Sequence, residues 1–153
     1  MRNVFAGCMA MVACMPVYAD GFDTPAAAAV YALSQAMAAH SCTETAGVVI
    51  WAGGGYTLSV PVTGTDDRFT LRVALHAGER IVALWHTHPD CEGAPNAGIV
   101  SPQDIETATA LRVPSYIGVQ STGVVKVYVP GVTRTYRTLI AGSLRMVSDG
   151  TAQ

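Results

Sequence analysis

The chain has 153 residues, half of them hydrophobic and 13% charged, which is one domain's length and too apolar for a disordered segment. Nine Lys and Arg against eleven Asp and Glu leave a formal charge of −2, and Lys126 is the one lysine. With no basic block to track a phosphate backbone, the composition argues against a nucleic-acid partner. The longest like-charge run, Asp66-Asp67, reads as a solvated turn.

Met1 to Asn3 is a short, positive start, and Val4 to Pro16 is uncharged and mostly apolar. With Val17-Tyr18-Ala19 behind it, this is the layout of a bacterial secretory signal peptide over residues 1–19, cleaved before Asp20. The apolar run is shorter than the about 20 residues a bilayer span needs, so no stable membrane span is expected. Met11-Val12-Ala13-Cys14 also loosely matches a lipoprotein processing box, which would leave an acylated Cys14. Either route takes the protein out of the cytoplasm, periplasmic or secreted, with residues 20–153 as its single domain; plain cleavage also removes Cys8 and Cys14. Cys42 and Cys91 then remain, and an even pair in an oxidising compartment suggests a disulfide. Two buried free thiols are the alternative.

Thr24 and Pro25 open a helix as cap and first helical residue, and the alanine-dense stretch to Ala39 continues it. Val30, Leu33 and Met37 mark its packing face. Gly47 to Ala52 is a buried strand, Gly53 to Gly55 a hairpin turn, and Tyr56 to Val62 the returning strand with alternation at Tyr56, Leu58 and Val60. Phe69 to Leu75 is a further strand or an extended segment. Ile81 to Trp85 is an apolar strand, and Pro89 to Val100 is a loop. Ser101 caps a helix running to about Leu111, with Pro102 just inside it. Tyr116 to Gln120 and Val124 to Val129 form a hairpin, and Thr133 to Leu139 is a last strand. The expected fold is one α/β or α+β domain, a mixed sheet flanked by helices.

The chemistry concentrates in Leu84-Trp85-His86-Thr87-His88-Pro89 and Ser101-Pro102-Gln103-Asp104. Histidines at i and i+2 on a strand end point to one side, and Asp104 lies in the first turn of the next helix. His86, His88 and Asp104 thus form a three-ligand set with an open fourth position, the layout of a catalytic rather than a structural zinc. A base is also needed, and Glu44, Glu79, Glu92 and Glu106 are the candidates. Glu44 stands just ahead of the Gly47 strand.

Glu44, His86-Thr87-His88-Pro89 and Ser101-Pro102-Gln103-Asp104 together resemble the JAB/MPN (JAMM) zinc metalloprotease family, over roughly Cys42 to Leu111. The resemblance implies a cytidine deaminase-like architecture with Zn2+ held by His86, His88 and Asp104. It implies Glu44 as the general acid/base and Ser101 as donor to the oxyanion. It also implies hydrolysis of a peptide or isopeptide amide bond in a peptide or protein substrate. The sequence departs from the family in its loop. Twelve residues separate His88 from Ser101, more than the family's usual spacing, which enlarges the rim of the cleft. If Glu44 faces the metal held by His88, Cys42 and Cys91 meet at that rim, and a Cys42–Cys91 disulfide is predicted. Cys91 as an extra zinc ligand is the minor alternative. The competing functions are a non-catalytic binding or accessory domain of a bacterial envelope or secretion system, and a metal-scavenging protein. Oligomeric state and substrate identity are not legible.

Overall fold

The first helix forms where Thr24 and Pro25 allow it. In α1 (Pro25–Ala38) Thr24 is extended, and its Oγ1 accepts the Ala27 N–H at 3.0 Å. Its packing face differs from the expected one: Leu33 is buried, but its companions are Ala28, Ala29 and Ala32, while Val30 is only half-buried. The reason is close approach. A Cβ at Gly118 of the sheet would meet Met37 Sδ at 2.9 Å and Leu33 Cδ2 at 3.1 Å. At that spacing methyl groups form the seam, and larger side chains reach over a glycine.

The sheet contains β1 (Thr45–Trp51), β2 (Tyr56–Leu58), β3 (Val62–Thr63), β4 (Arg80–His88), β5 (Ser115–Val119), β6 (Val124–Tyr128) and β7 (Arg137–Leu139). The computed structural model describes residues 21–65, 68–89, 91, 100–133 and 136–139. The expected signal segment with its Cys14 alternative, the Asp66-Asp67 turn, Glu92 and most of its loop, and the tail after Gly142 lie outside the described residues. The strand order is β2-β1-β4-β5-β6-β7, with β3 also paired to β1. β4 and β5 are parallel and the other pairs antiparallel. Between the parallel strands the chain crosses over through α2 (Pro102–Leu111), as parallel pairing requires. The result is a mixed α+β domain with a mixed seven-stranded sheet and two helices among the described residues. None of these helices is long and apolar enough to cross a membrane.

One expected strand is broken, one is longer, and the last, expected over Thr133–Leu139, is confined to Arg137–Leu139. The returning strand breaks between β2 and β3, and Val60, placed inward by alternation, is 75% exposed. Ser59 captures both backbone groups of Val48: its N–H donates to the Val48 carbonyl and its Oγ accepts the Val48 N–H, each at 3.0 Å. Pro61 then has no N–H to offer the ladder, and pairing resumes one residue out of step at Val62. The Phe69–Leu75 stretch takes the extended alternative and belongs to no strand. β4, in contrast, is longer than Ile81–Trp85 and carries both histidines inside it. Val49 pairs with Ala83 and Ile50 with Ile81, so Val82 is a bulge. It resets the alternation. Ala83 and Trp85 pack with the α1 residues, while Ile81 and Leu84 pack with Val48, Ile50 and Ala108 of α2.

Candidate metal centre

From Leu84 the alternation runs on to His86 and His88, which face α2 and are both buried. Between them Thr87 points the opposite way, fully buried, and its Oγ1 accepts the Thr45 N–H at 3.0 Å. That bond fastens the end of β4 to β1. The two Nε2 atoms are 3.1 Å apart.

The third member comes from the start of α2. Ser101 is an extended N-cap whose Oγ accepts the Asp104 N–H at 3.2 Å. Asp104 Oδ2 in return accepts the Ser101 N–H at 2.9 Å and the Ser101 hydroxyl at 2.8 Å. This reciprocal capping box orients the carboxylate. Its Oδ1 lies 3.3 Å from His86 Nε2 and its Oδ2 3.8 Å from His88 Nε2. One ligand atom from each of His86, His88 and Asp104 lies within 4.8 Å of the others, so the group can hold a metal ion. Burial pushes the Asp104 carboxyl up, but its hydrogen bonds from His86 and Ser101 and the His86 charge outweigh this and bring it down to about 2.

Glu44 reaches the same place through the register. Its N–H donates to Thr65 O at 2.7 Å and its carbonyl accepts the Gly64 N–H at 2.8 Å, extending the β3 pairing. It therefore shares the phase of Val48 and Ile50. Ala46 lies opposite His86, and two residues back Glu44 comes level with His88. Its Oε1 is 3.9 Å from His88 Nε2, and the residue is 7% exposed. The other described acids are elsewhere: Glu79 accepts the His76 N–H at 2.8 Å, and Glu106 is exposed on α2.

Just ahead of Glu44 and just past His88, Cys42 and Cys91 meet. The disulfide is present, with Cα atoms 5.4 Å apart. Both sulfurs are consumed, which removes the free thiols and the Cys91 thiolate ligand, since a metal binds thiolate. The Ser101 hydroxyl proton is held by Asp104, so in this state the hydroxyl serves the cap.

Sequence reasoning missed Phe69. Its ring centroid lies 5.2 Å from that of His86 at a 45° tilt. No spacing signal marks it, because it comes from a stretch outside the ladder. The sequence pattern marks Gly47 only as part of a strand. A Cβ there would lie 2.6 Å from the Trp85 ring, so glycine is what lets the indole lie across β1. A cleft of about 520 Å³ opens beside the cluster, with Phe69, Leu71 and Val73 on one side and Gln103, Thr107 and Leu111 of α2 on the other.

No protein-family model, curated protein or solved structure matches the chain. What the cluster does follows from its own chemistry.

Proposed function

We propose that the chain is an exported zinc-dependent hydrolase of the JAMM type that cleaves a peptide or isopeptide amide bond. The observation that carries the reading is the meeting of His86, His88 and Asp104 from a strand end and a helix start, with Glu44 3.9 Å from His88. Zinc suits the donor set. Two nitrogen ligands of a tetrahedral zinc stand roughly 3.3–3.4 Å apart at the usual bond length of about 2.0–2.1 Å, and separations of 3.1, 3.3 and 3.8 Å are found here. Three protein ligands leave room for a further one. A zinc ion held there would supply Lewis acidity, polarising a carbonyl and lowering the pKa of a bound water to about 7.

The chain's residues do the rest. The buried Glu44 carboxylate takes a proton from the attacking water and returns it to the leaving nitrogen. The Ser101 N–H holds Asp104 Oδ2 in place, so the hydroxyl can turn from Asp104 to the carbonyl oxygen of the substrate without losing the ligand. The Cys42–Cys91 bridge joins the Glu44 segment to the end of the histidine strand. A disulfide also suits an oxidising compartment outside the cytoplasm.

Metal analysis and peptide cleavage test this together. The wild-type chain and Glu44→Gln should each hold about one zinc, and His88→Ala should lose it. Cleavage of peptide or isopeptide-linked substrates should fall about 10²–10⁴-fold in Glu44→Gln, the range for a lost general base. Zinc retained in His88→Ala dismantles the centre. Zinc bound with no cleavage favours the accessory-domain alternative.

A further inference from the structure

The cleft has two unlike halves. Its charged lining residues besides the histidines are Glu44, Arg68 and Asp104, and the Glu44 and Asp104 carboxylates belong to the metal end. Arg68 is tied there by its backbone, since its carbonyl accepts the Thr65 N–H and Thr65 in turn accepts the Glu44 N–H. Back along β4 from His86, the next residues on the same face are Leu84 and, beyond the Val82 bulge, Ile81. Each same-face step is about 7 Å. These residues pack on Val48 and Ile50, with Leu71 and Val73 half-buried beside them. Leu111 at the last turn of α2 borders this half and is 51% exposed. Among the described residues this half offers side chains without charge.

Apolar surface held open inside a cleft is unfavourable unless an apolar group fills it. The occupant must arrive with the scissile amide, because both halves are one cavity. An extended peptide sets same-side residues about 7 Å apart, the distance from His86 to Leu84. A charged side chain here would be desolvated with no partner. The volume of about 520 Å³ admits an aromatic ring as well as the amide, since pockets for small ligands start at about 300 Å³.

We propose that this half is a side-chain pocket in which Leu71, Leu84 and Leu111 select an aromatic or long aliphatic residue within two positions of the bond cleaved. The cleaved bond rests on the hydrolase reading; the pocket itself does not. The purified, methyl-labelled chain is titrated with N-acetyl-phenylalanine amide and, separately, N-acetyl-aspartate amide. Methyl resonances of Leu71, Leu84 and Leu111 should move with the first and stay still with the second. Leu111→Asn, at an exposed position, should melt as the wild type does and weaken binding about tenfold, within the range that burial of such a side chain sets. No movement, equal movement with both compounds, or unchanged affinity in Leu111→Asn would overturn the pocket. A chain that shows the leucine response and binds no zinc keeps the pocket and loses the hydrolase.

Discussion

The two helices begin with the same device and cover the sheet to opposite effect. Each has a hydroxyl cap followed by proline in its first turn. α1 then seals its face: Ala28, Ala29, Ala32 and Leu33 are all buried. α2 buries Ala108 alone, leaves a cleft beside it, and spends its first turn on Asp104. One face is packed tightly against the sheet, and the other keeps a cleft beside its polar cluster. Both sides bury apolar side chains, but the α2 side also buries Glu44, His86 and His88, whose desolvation offsets part of that gain.

That contrast can be broken experimentally. The largest effect expected is from reducing Cys42–Cys91, which pins the rim of the open face. The bridge closes a loop across a sequence separation of 49, and by the chain-entropy model its loss costs about 4 kcal/mol, read as a lower melting temperature under reductant. Leu33→Ala on the sealed face should cost about 3 kcal/mol and leave zinc affinity unchanged. A parallel loss of zinc affinity in that variant would show that the two faces are coupled. Ser101→Ala should act on the open face instead. Melting should shift by only about 1 kcal/mol for the lost cap and zinc should stay bound, because the Ser101 N–H still holds Asp104 Oδ2, while cleavage falls about 10²–10³-fold with the lost oxyanion donor. The smallest effect concerns acid. Asp104 has its carboxyl lowered from 3.8 to about 2 in the folded chain. Its stabilisation is therefore complete above about pH 4 and disappears as pH falls toward 2. In metal-free protein the melting difference between wild type and Asp104→Asn should shrink as pH falls through that range.

The readable parts of the site were those with a local cause. Strand alternation put His86 and His88 on one side, and a capping box put Asp104 at a helix start; neither needs a distant partner. Glu44 was one of four acids until the register set it opposite His88. The even cysteine pair suggested a bridge by itself; its place at the rim of the site was legible only with that placement assumed. Phe69 had no signal at all, since it reaches His86 from an extended stretch outside the sheet.

Where helices begin, which histidines share a face and which aspartate stands at the start of α2 can be read from short windows of residues, because they follow from bonds between positions a few apart. Tertiary structure alone decided that alanine rather than Val30 forms the α1 seam, that Ser59 interrupts the β2–β3 edge, and that Val82 bulges. It also decided that one acid of four stands beside the histidines. Those outcomes depend on how closely layers approach and on which residues face each other across strands, which no short window of sequence contains.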